Sequence, residues 1–541
     1  MKPNQKIPEP PIIPEQEITP LVQEVLDICT LQKEKIALLQ ETVQGLKDEI
    51  ARLKKEKPRP KIKPSNLENN KNDQQRSSNQ NNQDETKRPG SEKRSKTQNI
   101  QIHHEQNIKP DHIPEGSRFN GYRDFVVQDL IIAPYNTKYH LQEWITPSGK
   151  YILGKLPEGA AQGHFGTTLI QYILYQYHHA HVTQPLILEQ LQEIGNDLSS
   201  GQLNNILIEN KEGFHTEKAD ILTAGLEVSD YVNVDDTGAR HAGKNGYCTH
   251  IGNELFAWFE STDSKARLNF LNLLRGEHTD YMLTPEAFDY MQAQKLPKKV
   301  LSLLEGLEEK TFADEEHWNV ALNALGISSS RHIRIATEGA LIGSILEHGL
   351  NKDLVILSDD AGQFNIFLHA LCWIHAERHI NKLVGFSEPQ RQAVAAVRDE
   401  IWTFYRQLKA YKENPTPERK QELEQWFDRL FTTKTCFASL NLALEKIYAN
   451  KEELLLVLKR PEIPLHNNLS ENDIREQVKK RKISGGTRSA KGRQCRDTFA
   501  SLKKTCRKLG ISFWQFLHDR LSGQDQIPLL GDCIRQHRAP G

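Results

Sequence analysis

Acidic residues occur in pairs at two points of the chain, each directly after an apolar segment. Asp235 and Asp236 follow the alternating segment DYVNV, and Asp359 and Asp360 follow the segment LVILS. Two Mg²⁺ ions about 4 Å apart need several carboxylate oxygens, at least one of them shared, to promote phosphoryl transfer. Acids on neighbouring strands of one sheet can converge to supply these oxygens. Taken alone, either pair could instead end a strand, since Asp is frequent in turns.

A third acid with a suitable setting is Glu471, in the segment NNLSENDIREQVKK. A helix is predicted from about Asn468, and Asn468, Glu471 and Arg475 share one of its faces because they are three and seven positions apart. A carboxylate flanked by an amide and an Arg is poorly explained as part of a core. A solvated helix is the alternative.

The segment CWIHAERH follows the second acidic pair and is predicted to be helical. Cys372, His375 and His379 have a spacing that zinc sites use, with two His four positions apart. No second ligand pair is nearby, so zinc is the less favoured interpretation.

Positive charge is concentrated near the C-terminus. Residues 475–508 contain 13 Lys or Arg and two acids, a formal charge of +11, although the whole chain has a net charge of −1. An evenly spread charge near zero would argue against a nucleic-acid partner, whereas this distribution favours one. The Gly-containing segment SGGTRSAKGR is predicted to be a flexible loop that follows a phosphate backbone.

The elements that would position the acids can be predicted from periodicity. DYVNVDDTGAR is predicted to be a strand ending in acids, and YCTHIGNELFAWFEST to be two strands joined by a turn at Gly252-Asn253. A helix follows in SKARLNFLNLLRG, and a buried strand spans Leu354 to Leu357. Three antiparallel strands, a helix and a further strand, with acids on the first and fourth strands, is the order of an RNase H-like sheet.

The N-terminal region has a different character. From Val22 to Leu53, apolar positions alternate at three and four residues, and only Gln32 among them is strongly polar. This pattern predicts a coiled coil, most simply a parallel dimer, and a single amphipathic helix lying on a domain is the alternative. A basic, Pro-interrupted segment follows, and residues 65–110 include 16 Asn or Gln. Such a segment buries too little apolar surface to fold and is predicted to be a disordered tether.

Two short helices are predicted on either side of Gly195. The first starts near Thr183, and the second is capped by Ser199 or Ser200. A helix, a short Gly-containing turn and a second helix form the helix-turn-helix pattern of DNA-binding proteins, although any helical hairpin shares it.

Composition sets further bounds. A length of 541 residues suggests about three domains. The absence of an apolar run of about 18 residues excludes a transmembrane protein. Prolines and acids interrupt the N-terminus, which is not expected to be a secretory signal. The seven Cys are scattered and no CxxC occurs, so a reducing cytoplasm is expected rather than a disulfide framework.

Five motifs together resemble bacterial transposases of the insertion-sequence-66 family, a branch of the Asp-Asp-Glu enzymes. They are DDTGAR, LSDDAGQF, CWIHAERH, NNLSENDIR and GGTRSAKGRQC, and they follow the coiled coil, linker and helix-turn-helix in the expected order. The resemblance implies a metal-binding triad of Asp235, Asp359 and Glu471. A shift of one residue would replace the first two by Asp236 or Asp360. It also implies two Mg²⁺ ions, with Mn²⁺ as a substitute. It places the CWIHAERH helix just after the second catalytic strand, so His375 and Arg378 are expected to line the active site or a DNA groove.

The sequence departs from the family pattern in two places. No Cys lies between residues 29 and 248, where many members carry a short zinc-binding segment. His466 stands where an Asp is common. A zinc module of that kind is therefore not expected here.

The fold class predicted is an α/β RNase H-like catalytic core with helical insertions, preceded by an all-α helix-turn-helix region and an N-terminal coiled coil. The predicted segments, in chain order, are a disordered N-terminus (1–20), the coiled coil (21–55), a disordered linker (56–112), a DNA-binding region (113–225, helix-turn-helix 183–210), the catalytic domain (226–500, insertions at about 282–346 and 376–460) and a C-terminal helical tail (501–541).

The predicted function is transposition: binding to the terminal inverted repeats of an insertion sequence, followed by Mg²⁺-dependent strand cleavage and strand transfer. The expected partners are double-stranded DNA at the element ends and target, a second protomer or more through the coiled coil, and small accessory proteins of the same element, with no membrane. The expected location is the bacterial cytoplasm, at the nucleoid. The residues predicted to contact DNA are Ser199, Ser200, Gln202, Asn204, Asn205, His375, Arg378, Asn468, Arg475, Lys479, Lys480, Arg481, Lys482, Arg488, Lys491 and Arg493.

Two alternative functions fit parts of this pattern. One is an RNase H-like nuclease without strand transfer. The other is a non-catalytic DNA-binding regulator derived from a transposase. The intact acids at 235, 359 and 471 argue against the second.

Overall fold

The computed structural model describes residues 19–53, 101–157 and 163–537. The predicted N-terminal segment up to residue 18, and the predicted linker from 54 to 100, lie outside these residues. The described residues form two units, one of residues 101–137 and 194–196 and the other of the remainder. None of the helices in these described ranges is both long enough and apolar enough to cross a bilayer.

The first described element is one long helix, α1 (Pro20–Leu53). It covers the predicted heptad segment, so the helix is confirmed, whereas its pairing with a second copy stays a prediction. Several apolar heptad positions are exposed to solvent, as shown by Leu39 (64% exposed) and Val43 (48%).

The smaller unit has no strand in its described residues 101–137, and its apolar side chains there are mostly exposed. The first strands of the larger unit are β1 (Glu143–Ile145) and β2 (Tyr151–Leu153), which form an antiparallel hairpin.

Four helices and one π-helical turn precede the main sheet. They are α2 (Thr167–Leu174), the π-helical turn Tyr175–His179, α3 (Gln184–Ile194), α4 (Ser200–Ile208) and α5 (Glu212–Val228). The α4 helix starts with a capping box, in which the side chains of Ser199 and Gln202 each bond the other residue's backbone. On α3 the buried residues are Ile187 and Leu191, whereas Leu186 is 55% exposed.

Three antiparallel strands and a helix follow, in the predicted order. They are β3 (Tyr231–His241), β4 (Lys244–Gly252), β5 (Ala257–Thr262) and α6 (Arg267–Arg275). The predicted turn after Gly252 is confirmed. The prediction that the first strand ends at its acids is wrong, because β4 pairs with β3 as far as His241 and leaves Asp235 in mid-strand.

The first insertion contains four helices and a small two-stranded sheet that periodicity did not predict. Its elements are β6 (Tyr281–Met282), α7 (Pro285–Ala293), α8 (Lys298–Glu305), β7 (Thr311–Phe312), α9 (Glu315–Ala324) and α10 (Ser330–Glu347). The α10 helix is buried at its centre and packs on α6, α7 and β6.

The main sheet is completed by β8 (Val355–Ser358) and β9 (Leu368–Leu371), after which α11 (Trp373–Asn381) begins. The order is β5-β4-β3-β8-β9, with β8 parallel to both β3 and β9. Val232, Val234, Ile356 and Leu357 are fully buried. This explains why the central strands are the most apolar segments of the region.

The second insertion is helical, and its apolar side chains form a separate hydrophobic cluster with α11. Its elements are α12 (Glu388–Glu413), α13 (Pro417–Thr432), α14 (Ala438–Ala449), α15 (Lys451–Leu454) and the 3₁₀ turn Leu456–Leu458. The α1 helix contacts this insertion. The carboxylate of Glu41 accepts hydrogen bonds from the backbone N–H groups of Ala438 (3.0 Å) and Ser439 (2.8 Å), and so caps α14.

Four helices end the chain: α16 (Asn468–Ser484), α17 (Ala490–Lys508), α18 (Phe513–Ser522) and α19 (Leu530–Gln536). The α17 helix packs on β5 and α5, and α19 also packs on α5. One hydrophobic core therefore joins the helices before the sheet, the sheet itself and the C-terminal helices. The α5 and α17 helices bury their apolar faces against the sheet, and the predicted boundaries at 225 and 500 stay predictions.

Candidate active site

The strand register places Asp235 and Asp359 at equivalent positions on adjacent strands. Asn233 of β3 lies opposite Leu357 of β8 in the parallel pair, and each acid is two residues further along its strand direction. Asp235 is in mid-strand, and Asp359 directly follows the end of β8. Both side chains are half-buried. The predicted convergence of these two acids is therefore seen in the sheet.

The second acid of each pair, Asp236 or Asp360, bonds to other side chains. Asp236 accepts hydrogen bonds from Thr249 Oγ1 (2.5 Å) and Gln363 Nε2 (3.0 Å). Asp360 pairs with Lys446 Nζ (2.5 Å) on α14. In each pair, the first acid (Asp235 or Asp359) therefore has the carboxylate that is less occupied by bonds to other side chains.

Glu471 lies in the first turn of α16 and faces the N-terminal part of α11. Its Oε1 atom is 3.4 Å from His375 Nε2 and 3.6 Å from Arg378 Nη2. The side chains of Glu471 and His375 are about a quarter and a fifth exposed, 26% and 20%. The structure thus brings together the predicted third acid and two residues predicted to line the site.

The negative charges of the neighbouring acids act on Asp235. The pKa of Asp235 is raised to about 7, first by burial and then by the negative charges of Asp359, Asp236 and Glu471, although the Asp236 N–H bond (2.7 Å) opposes this. Burial and the nearby Arg378 lower the pKa of His375, so a neutral imidazole is favoured there. The acid cluster therefore has an excess of negative charge that a cation would relieve. In the described residues the three carboxylates do not all come within 4.8 Å of one another.

Asn467, which the sequence did not single out, joins β3 and the start of α16, which carry two of the acids, to the start of α11. It is fully buried. Its Nδ2 donates to the Val234 carbonyl (2.8 Å), and its Oδ1 accepts from Asn233 Nδ2 (2.8 Å). Its backbone N–H donates to Cys372 Sγ (3.2 Å) at the start of α11. The Asn-Asn pair at 467–468 was the available signal, but only burial identifies its role.

The alternative zinc site at Cys372, His375 and His379 is not supported by the geometry. Cys372 is buried and uses its sulfur as the acceptor for Asn467. Within the described ranges these three side chains do not gather their ligand atoms.

The basic C-terminal stretch is partly internal, which differs from the prediction. Lys480 is 4% exposed, donates to the Tyr177 carbonyl (2.6 Å) and lies over the Tyr177 ring. Burial, with the charges of Arg496 and Lys503, lowers its pKa to about 7. Lys480 is therefore not available to DNA, and its prediction as a DNA contact is corrected.

The predicted flexible loop is also shorter than expected, because α17 already begins at Ala490. The loop between α16 and α17 pairs with the β3–β4 hairpin through a bridge between His241 and Thr487. A Cβ on Gly486 would lie 2.4 Å from the Arg240 carbonyl, so this close approach requires glycine.

A cavity of about 420 Å³ lies between the β3–β4 hairpin, this loop and α17. Arg481 donates to the Gly238 carbonyl, and Arg496 donates to the Gly485 carbonyl (2.9 Å). Arg493 pairs with Asp263 (3.0 Å). The basic side chains that line it are Arg240, Lys244, Arg481, Arg493 and Arg496. The concentration of guanidinium groups suits an anionic ligand.

The other residues predicted to contact DNA lie mostly on the surface. On α4 and its cap, Asn204 is half-buried, and the exposed residues are Ser199, Ser200, Gln202 and Asn205. Asn468 is half-buried, whereas Arg475 is exposed and bonds Asn472 (2.7 Å). The exposed Lys and Arg side chains around the α16–α17 loop are Lys479, Lys482, Arg488 and Lys491.

The fold and the site define a mixed α/β protein whose central sheet and a following helix bring three acids together beside a basic cavity. The chain belongs to the IS66 family of transposases. The family model described as "Transposase IS66 family" matches residues 342–495, which include Asp359 and Glu471. As a member of this family the protein is a DNA-processing enzyme.

One curated relative is the "Uncharacterized protein y4jO" of Sinorhizobium fredii (strain NBRC 101917 / NGR234). The two sequences are 46% identical over 313 residues, which covers 57% of this chain and 98% of that protein. The printed name of the relative assigns no activity.

Proposed function

We propose that this protein cleaves and joins DNA strands at the ends of an insertion sequence, with Asp235, Asp359 and Glu471 as the acids that hold two Mg²⁺ ions. The observation that carries the proposal is the position of Asp235 and Asp359 at equivalent points of adjacent strands, with Glu471 close enough for its charge to raise the pKa of Asp235. The strand order is β5-β4-β3-β8-β9, and β4 runs antiparallel to the other four strands. This arrangement supports an RNase H-like core.

The donor set fits Mg²⁺, because carboxylate oxygens are the protein ligands that this hard cation prefers. The mutual repulsion that raises the pKa of Asp235 also favours a divalent cation at this point. When bound, Mg²⁺ would supply charge stabilisation for the attacking and leaving oxygens of a phosphoryl transfer. Mn²⁺ has similar oxygen chemistry and is proposed as a substitute.

The protein side chains contribute orientation and charge. Asp236 is fixed by Thr249 and Gln363, which holds the neighbouring backbone of Asp235 in place. Arg378 is 44% exposed beside Glu471 and is free to reach a DNA phosphate at the edge of the site. His375, on α11, lies against Glu471 and limits the positions that the Glu471 side chain can take.

The basic cavity and the exposed cations around it are proposed to hold the DNA backbone. Phosphate contacts of this kind fix the register of DNA without reading its sequence. Reading of the terminal repeats is assigned to the α3–α4 pair through the exposed side chains of α4. Pairing of two element ends is assigned to α1, whose exposed apolar stripe would form a homodimer or a higher oligomer.

The test uses Asp235→Asn and Glu471→Gln in the full chain, with Asp360→Asn as the matched control. Asp360 is a neighbouring acid, but it pairs with Lys446 and is outside the proposed triad. We expect the first two variants to lose Mg²⁺-dependent cleavage of a terminal-repeat duplex and to keep binding to it, whereas the control cleaves. Cleavage by the double variant Asp235→Asn/Glu471→Gln would overturn the assignment of the acids.

A second measurement separates the proposal from the alternative functions. Incubation of cleaved ends with a supercoiled plasmid should yield joined products. Cleavage without joining would identify a nuclease, and repeat binding with neither step would identify a regulator.

A further inference from the structure

A second cluster of possible metal ligands lies at the base of the first insertion, outside the acid site. His278 and Asp280 immediately precede β6, where the insertion begins, and His348 immediately follows α10, where it ends. The cluster therefore joins the two points at which the chain enters and leaves the insertion.

The three side chains are gathered closely. Each offers one ligand atom, and these atoms all lie within 4.8 Å of one another. His348 Nε2 is 2.9 Å from Asp280 Oδ1, and the rings of His278 and His348 stack with centroids 3.6 Å apart and planes 6° apart. Two imidazoles and a carboxylate thus share one small volume although some 70 residues separate them in sequence.

One oxygen atom of this cluster, Asp280 Oδ2, is poorly supplied with hydrogen-bond donors. Asp280 Oδ2 is buried and accepts no hydrogen bond of good geometry, although the Ser344 side chain interacts with this carboxylate. The Asp280 and His348 side chains are 17% and 29% exposed. A buried carboxylate oxygen without a partner is costly, and either a proton donor or a cation would satisfy it. The cluster is open enough for an ion to enter.

We propose that His278, Asp280 and His348 bind one Zn²⁺ ion or a similar late first-row divalent cation. Imidazole nitrogen with one carboxylate is a ligand set that zinc accepts, with a water molecule completing a tetrahedron. Mg²⁺ is disfavoured because it prefers oxygen ligands. The site is independent of the proposed active site and of its metal.

Binding requires one defined rearrangement. Parallel stacked rings cannot direct their in-plane lone pairs at a common ion, so one ring must turn. His278 is exposed and is tied down by the ring stack alone among the contacts seen in the described residues. His278 is therefore the ring that moves, and His348 and Asp280 exchange their mutual bond for the ion.

A bound ion would link the two ends of the first insertion. The ion would fix the loop before β6 to the end of α10 and so stabilise the native state in proportion to its occupancy. Without an ion, the same side chains form only a His–Asp pair and a ring stack.

The test measures Zn²⁺ binding to the full chain after removal of bound metal with a chelator, by competition with a chromophoric zinc indicator. The variants are His278→Ala/His348→Ala and, as a matched control, His317→Ala. His317 forms a similar exposed pair with Asp314 (2.7 Å) in the same insertion but has no second His beside it in the described structure.

We expect the double variant to bind one equivalent of Zn²⁺ fewer than the wild type and the control. Zinc should raise the melting temperature of the wild type and the control but not that of the double variant. Equal stoichiometry and equal thermal shifts in all three proteins would overturn the site.

Co²⁺ gives an independent readout in case the alanine variants fold poorly. The wild type should show a visible absorption band of tetrahedral Co²⁺, and the milder His278→Gln variant should lose it while its circular dichroism spectrum is unchanged. A band that survives in folded His278→Gln would also overturn the assignment.

Discussion

Replacement of Asn467 by Ala should separate the positioning of the acids from the general stability of the fold. The change removes the bonds from Asn467 to the Val234 carbonyl and the Asn233 side chain, both buried. A buried polar group left without a partner costs about 1–3 kcal/mol, so two such groups predict a loss of about 2–6 kcal/mol. A domain of ordinary stability, about 5–15 kcal/mol, would survive most of that range.

The effect on catalysis follows from where the bonds lie. Val234 directly precedes Asp235, and Asn467 directly precedes α16, the helix that carries Glu471. A displacement of about 1 Å at a reacting group can lower a rate by about 100-fold. We therefore expect cleavage by Asn467→Ala to fall by about that factor with little change in the affinity for the repeat duplex.

The assay combines urea unfolding with single-turnover cleavage at a temperature where each variant is folded. The matched control is Asn253→Ala, since Asn253 is 3% exposed and bonds Ser229 (2.7 Å) and the Leu255 N–H (2.9 Å) beyond the other end of the strand pair. It should lose comparable stability and keep near wild-type cleavage. If Asn467→Ala is destabilised but cleaves as fast as Asn253→Ala, the positioning role is refuted.

Two further predictions concern the charges around α16 and α17. Although burial opposes ionisation, the bonds to His250 and Lys508 hold the pKa of Asp473 below its usual range. The ionised Asp473 therefore stabilises the folded state above the unfolded pKa of about 3.9, and this stabilisation is lost as the pH falls toward the folded value. Asp473→Asn should therefore reduce the free energy of unfolding by about 3–5 kcal/mol at pH 7, and urea titrations should show this difference shrinking below about pH 4. In the basic cavity, Arg481→Ala and Arg493→Ala should weaken binding to repeat and unrelated DNA alike and should lower the salt slope by about 1 each in anisotropy titrations. An unchanged slope would place the DNA elsewhere.

The sheet and the acids could be predicted from sequence because their signals are local. Alternation in β3, the turn after Gly252 and the apolar run of β8 each identify a strand, and strand order then places Asp235 near Asp359. The end of β3 could not be predicted, since it depends on how far β4 pairs with it.

The buried face of α16 was missed for a different reason. Periodicity treats charged residues as exposed, but the buried positions of α16 include Asp473, Gln477 and Lys480. Asp473 is compensated by Lys504 and Lys508 of α17, which are brought to it only by the tertiary fold. The same pairing explains why the +11 stretch contributes less surface charge than its composition suggests.

The register of β3 and β8 has a consequence for the architecture of the enzyme. Hydrogen bonds between two adjacent strands, and not the length of chain between them, set the separation of Asp235 and Asp359. The first insertion leaves and returns at neighbouring points, so its size adds only a slowly growing loop-closure entropy. Changes in the length of the loops of this insertion would therefore leave both acids in place, whereas α10 has to be retained because it shares the hydrophobic core of the sheet.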